Sequence, residues 1–149
     1  RVISGLNSSS KLPVIGKTTD YPKTEFNYEA YNAKLYMDYK KQLQNENLSN
    51  IIKDNPMLEH AAFGNGNLTF GSLSRKESEL LALQWVGDGA IKTSNDWISA
   101  DGTRLYRAPD IKKYSQYAET GIQSNFQRGY MNESKFISES NLHINIKDN

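Results

Sequence analysis

Residues Asn141 to Lys147 read NLHINIK, a strict alternation that puts Leu142, Ile144 and Ile146 on one side and His143, Asn145 and Lys147 on the other. Side chains two apart in a strand share a face, so this period predicts a strand with one face in a core. A second stretch, Ile122 to Gln127, alternates in the same way, with Ile122, Ser124 and Phe126 against Gln123, Asn125 and Gln127. Further upstream, DWISADGTRLYRAP sets Asp101-Gly102 between two short apolar runs, the signature of a tight hairpin turn. Together these segments predict an antiparallel sheet of about four strands in the C-terminal part of the chain.

The first half has a different period. From Thr24 to Leu43, Tyr28, Tyr31, Leu35, Tyr39 and Leu43 recur at helical spacing with Lys and Glu between them. The tyrosine stripe reads as a core face, although such a stripe can also stack unpaired bases. A second helix is expected from Leu48 to Lys53, stopped before Pro56. HAAFGNGNLTFGSLS, residues 60 to 74, carries Gly64, Gly66 and Gly71 and reads as a turn-rich connection or small hairpin. Its GNGN is not a phosphate loop, since the Lys-Ser/Thr that completes one is missing. Ser74 and Glu77 have capping-box spacing ahead of Leu80, Leu81, Ala82, Leu83, Trp85 and Val86, a buried helix that ends at Gly87. Helices first and strands last give an α+β fold, with the N-terminal helices packed on the apolar face of the sheet.

The 149 residues suit one domain. With 37% hydrophobic and 23% charged residues, the composition is that of a soluble globular chain. Residues 1–22, with Pro13, Pro22, Gly5 and Gly16 among small polar residues, read as a linker or N-terminal arm, and 23–149 as the folded domain. Leu12 to Ile15 is an apolar plug inside that arm. Starting at Arg1 rather than Met, the chain is expected to be a domain cut from something longer, or one with a ragged start. A formal net charge of +1 offers no broad basic field for duplex nucleic acid, yet leaves room for a small local site. With no cysteine, neither a disulfide nor a cysteine-liganded metal is available.

The polar side of the sheet carries the candidate chemistry. If Leu105 enters the core, Arg104 and Tyr106 face the other way and join Gln123, Asn125, His143 and Asn145. Such a set suits cleavage of an RNA phosphodiester without a metal. A neutral imidazole takes the proton of a 2′-hydroxyl, or a charged one gives a proton to the leaving oxygen. A guanidinium holds phosphate oxygens as charge builds, and Tyr, Asn and Gln stack on bases or read their edges. Arg107, Lys112 and Lys113, just past the strand end, are candidates for neighbouring phosphates or ordinary solvated charges. The alternative is a hydrated face with no chemistry, as in a binding module.

Two rivals are visible. Pro109-Asp110 with Glu133-Ser134-Lys135 loosely matches the PD…ExK pattern of metal-dependent nucleases, which needs its carboxylates on neighbouring strands around a divalent cation. His60, beside Glu59, is a possible second acid or base, though such a histidine is more often structural. Neither a histidine pair at zinc-ligand spacing nor a Gly-x-Ser-x-Gly elbow occurs, so neither metal nor cofactor is expected.

The run from Ser99 to Gly102, Arg104 to Arg107 with Pro109, Thr120 to Phe126, and Asn141 to His143 resembles the C-terminal ends of filamentous-haemagglutinin-like and contact-dependent growth inhibition (CdiA) proteins. KLPVIGKTTD, residues 11–20, resembles the start of toxin domains in such proteins. The likeness covers roughly the final third of the chain plus that short piece. Ala108 stands where the family often has a second proline, and Gln127 where an acidic residue is common. The resemblance implies the toxic tip of a secreted or cell-surface effector that acts in the cytoplasm of a target bacterium. It further implies an RNase, with tRNA as the expected substrate, a cognate immunity protein, a host activating factor as a further candidate partner, and no stable membrane association. The order of elements is similar to that of the barnase, EndoU, colicin and RelE group of RNases. On this reading His143 is acid or base and Arg104 the phosphate clamp. Tyr106, Gln123, Asn125 and Asn145 position substrate, while Arg107 and Thr120 enter from the family motif.

Overall fold

A computed structural model of the chain describes residues 26–111 and 120–148. The expected arm at 1–22, and Lys112 and Lys113, lie outside the described residues. Helix α1 runs Tyr28–Asp54, a 3-10 turn covers Pro56–Leu58, and α2 spans Glu59–Phe63. Strand β1 (Gly66–Leu73), helix α3 (Arg75–Val86), and strands β2 (Ile91–Thr93), β3 (Asp96–Ile98), β4 (Arg104–Ile111), β5 (Ile122–Asn132) and β6 (Lys135–Ile146) follow. The chain is α+β, as its sequence implies.

The sheet is larger than expected. Six strands form one mixed sheet in the order β1-β6-β5-β4-β3-β2, antiparallel except that β1 runs parallel to β6. Gly66 to Leu73 is thus an edge strand rather than a turn-rich connection. Its glycines mask a weak alternation of Leu68 and Phe70 against Asn67 and Thr69. Asp101-Gly102 is not a two-residue turn either: β3 ends at Ile98 and β4 begins at Arg104, so residues 99–103 form the loop. Here Asp101 Oδ1 accepts bonds from Ser99 Oγ, Thr103 N and Thr103 Oγ1.

The two helices expected before Pro56 are one. Nothing between Leu43 and Leu48 breaks the backbone ladder, and the helix stops at Asp54, two residues before Pro56. Contacts divide the chain into two units, residues 1–47 and 48–149. In the first, Phe26 sets its ring edge-on to Tyr28 and Tyr31, and Lys34 pairs with Asp38 one turn on. In the second, Leu48 belongs to the core, with Ile51 and Ile52 packed against it.

That core lies between helices and sheet. Leu48, Leu58, Ala61, Ala62, Ala82, Trp85 and Val86 meet Tyr106, Phe126, Leu142 and Ile144. Complete burial of a side chain the size of Phe126 or Leu142 is worth about 1.5–3 kcal/mol. Helix α3 starts with the expected capping box, Ser74 Oγ accepting from Glu77 N while the Glu77 carboxylate accepts from Ser74 N. It ends at Gly87, whose φ of 72° only glycine adopts freely. At the β5–β6 bulge a Cβ on Gly129 would run into the Ile137 carbonyl, so glycine is required there too.

Candidate functional site

Register decides which side chains share a face. Tyr106 pairs with Phe126, which pairs with Leu142, and these three belong to the core. Arg107 pairs with Asn125, Asn125 with His143, and His143 with Thr69. On the other side of Arg107 stands Asp96. One row therefore crosses five strands as Thr69, His143, Asn125, Arg107 and Asp96. Beside it Asn67, Asn141, Gln127 and Leu105 form a second row, and Asn145, Gln123 and Asp110 a third. The alternation read in β5 and β6 is the one observed.

In β4 the assignment is reversed. Leu105 belongs to the polar face, while Arg104 and Tyr106 lie on the helix-covered face, away from His143. The placement of Arg104 and Tyr106 beside His143 is thus corrected. Leu105 and Tyr106 are both apolar, so the strand's own pattern does not fix its phase; pairing of Tyr106 with Phe126 does. Arg104 Nε donates to the Trp85 carbonyl in the last turn of α3 at 2.7 Å, and Trp85 Nε1 donates back to the Leu105 carbonyl at 3.1 Å. Arg104 therefore satisfies an end of α3 rather than clamping phosphate. The Tyr106 hydroxyl lies 2.8 Å from Ser78 Oγ, which also donates to Ser124 Oγ, and burial pushes the phenol above its ordinary range.

Arg107, expected just past the strand end, lies within β4 and is the guanidinium on the His143 face. Its Nε donates to Asp96 Oδ1 at 3.1 Å, and its side chain stays 43% exposed. With one strand between them, His143 and Arg107 stand about 10 Å apart at the backbone, given a strand spacing of about 4.8 Å. Thr120 lies off the row, its Oγ1 donating to the Ile122 carbonyl in the turn before β5.

The polar face is not a hydrated one. His143 keeps 7% of its surface, Asn125 2%, Asn145 5% and Gln123 none. Amides meet the imidazole on both sides. Nδ1 lies 2.8 Å from Gln123 Oε1 and 3.0 Å from Asn125 Nδ2, and Nε2 lies 2.9 Å from Asn67 Oδ1. Asn125 Nδ2 also donates to Asn141 Oδ1 at 2.9 Å, and Asn145 Nδ2 reaches the Gly71 carbonyl at 3.5 Å. Buried polar groups need such partners, and a satisfied network fixes the orientation of each member. Asn67 escapes a sequence reading because its strand does.

The remaining candidates do not join the row. His60 Nε2 donates to the Gly66 carbonyl at 2.9 Å, a structural role at the end of α2. It lines a groove of about 380 Å³ with Met57, Phe63, Leu68, Phe70 and Leu142. As Leu142 is a core-face residue, that groove lies on the side of the sheet opposite His143. Asp110 stands opposite Gln123 near the start of β5, whereas Glu133 lies in the turn past its end. Ten residues of strand separate those levels, about 33 Å at about 3.3 Å per residue, so the PD…ExK carboxylates do not converge. Among the described residues no group of three or more His, Asp and Glu could hold a metal ion. Nor is any helix among them long and apolar enough to cross a membrane. Comparison with protein-family models, with curated proteins and with solved structures gives no match.

Proposed function

We propose that the domain is an antibacterial toxin that cleaves RNA, with tRNA as its substrate, by metal-independent transesterification, and that a cognate immunity protein blocks it. The observation that carries this reading is the row His143, Asn125, Arg107 on one buried polar face. Imidazole supplies the acid or base for 2′-hydroxyl attack on phosphorus. Arg107, rather than Arg104, is the cation for the phosphate, oriented by Asp96 and exposed enough to reach one. Gln123 and Asn125 carry the amide groups that order the histidine, and Asn145 ties the same face to the Gly71 carbonyl of the edge strand.

Expression of the domain in bacteria without an immunity partner tests the reading. Discrete tRNA fragments and arrested growth are expected from wild type and not from His143→Ala. Purified protein is expected to cut RNA equally well in EDTA. Normal growth with intact RNA would replace the reading with a binding module. Loss of cleavage on chelation would replace it with a metal-dependent nuclease.

A further inference from the structure

Two side chains of opposite hydrogen-bonding character converge on one nitrogen of His143. Gln123 Oε1, an acceptor, and Asn125 Nδ2, a donor, lie 2.8 and 3.0 Å from Nδ1. A nitrogen with a proton uses the first; a nitrogen with a lone pair uses the second. Both amides are buried, so neither turns freely to water. The second hydrogen of Asn125 Nδ2 is directed to Asn141 Oδ1, which fixes the amide with its NH2 towards the ring. On the other side, Nε2 meets Asn67 Oδ1 at the edge strand, and Asn67 is exposed.

We infer that Gln123 and Asn125 are a matched acceptor–donor pair of positioning residues that lets His143 change its protonation without turning its ring, with Nε2 held against the Asn67 amide of the edge strand as the nitrogen through which protons pass to substrate. With Nδ1–H donated to Gln123, Nε2 carries the lone pair and acts as a base once the exposed Asn67 turns its amide, since a lone pair does not bond to Oδ1. As imidazolium the ring donates Nδ1–H to Gln123 and Nε2–H to Asn67 Oδ1, and acts as an acid. In the other neutral form Nε2 keeps the proton and Nδ1 accepts from Asn125. All three forms occupy one ring position, so acid and base steps need no turn of the imidazole, only of the Asn67 amide at the edge strand. The charged side chains on this face, among the described residues, are Arg107 with its partner Asp96, and Asp110 opposite Gln123; β1 and β6 contribute Asn67, Thr69, Asn141 and Asn145. The catalytic use of the pair rests on the ribonuclease reading, whereas the pair itself is testable without RNA.

The test is a pH titration of the His143 ring nitrogens by 15N NMR in the full chain. Gln123→Met removes the acceptor that the charged ring needs, so its titration midpoint is expected to fall and Nε2–H to dominate the neutral form. Asn125→Leu removes the donor that the lone pair needs, so the midpoint is expected to rise and Nδ1–H to dominate. Gln123→Glu keeps size and acceptor while adding charge, and is expected to raise proton affinity about tenfold or more; it serves if the apolar variants fail to fold. Opposite signs from the two apolar variants, or the rise in Gln123→Glu, support the pair even if RNA is never cut. Shifts of the same sign, or an unmoved midpoint in Gln123→Glu, overturn it even where wild type cleaves RNA.

Discussion

His143 and Arg107 stand in one cross-strand row with Asn125 between them, while Arg104, three residues from Arg107, points to the opposite side of the sheet. Two arginines in one short strand therefore have separate tasks. Arg104 holds the end of α3; Arg107 is the only one of the two on the histidine's face.

Arg104→Ala should act on stability. It strands the Trp85 carbonyl and removes a charged bond from a site that is 6% exposed, a loss of about 1.5–3 kcal/mol. Urea unfolding of wild type and variant measures it, and an unchanged midpoint would show that Arg104 does not secure the helix.

Tyr106→Phe separates core from chemistry. It removes the hydroxyl that meets Ser78 while keeping the ring against Phe126, at a cost of about 0.5–1.5 kcal/mol. RNA cleavage per folded molecule is expected to stay at the wild-type rate. A hundredfold loss there would return Tyr106 to the site.

Arg128 makes a comparable structural bond on the helix-covered face. Its guanidinium donates to the carbonyls of Ala61, Ala62 and Gly64, capping the end of α2, and Ser140 Oγ donates to the Ala61 carbonyl as well. Arg128→Ala should destabilise by about 2–3 kcal/mol through these carbonyls and speed amide exchange in α2 before the central strands. Exchange rates that rise equally everywhere would contradict a local cap.

The 99–103 loop sets an acid limit. Burial pushes the Asp101 carboxyl up, but bonds from the Thr103 and Ser99 hydroxyls and the Thr103 N–H, with the Arg104 charge, outweigh it and hold the group below its ordinary value of 3.8. A carboxyl lowered on folding stabilises above its unfolded value, and the benefit is lost as pH falls through the folded one. The stability gap between wild type and Asp101→Asn should thus be full at pH 7 and close as pH drops below about 4. A gap independent of pH would assign the loop's stability to packing alone.

How much of this was legible follows from where the period was clean. In β5 and β6 polar and apolar residues alternate without interruption, so His143, Asn145, Gln123 and Asn125 were placed on one face from sequence. In β4 the adjacent Leu105 and Tyr106 are both buried, on opposite faces, and a one-residue change of phase exchanges Arg104 for Arg107. Strand β1 hid behind Gly66 and Gly71, and with it Asn67, the partner of His143 Nε2. Burial of the polar face was also beyond reach, because alternation tells which residues share a side and not what covers it.

Cleavage of tRNA by purified protein in EDTA, compared for wild type, His143→Ala, Arg107→Ala and Arg104→Ala, tests the central assignment most directly. The expected result is a loss of about 10²–10⁴-fold for His143→Ala and about 10²–10³-fold for Arg107→Ala, with Arg104→Ala active in proportion to its folded fraction. Full activity in Arg107→Ala with loss in folded Arg104→Ala would contradict the account.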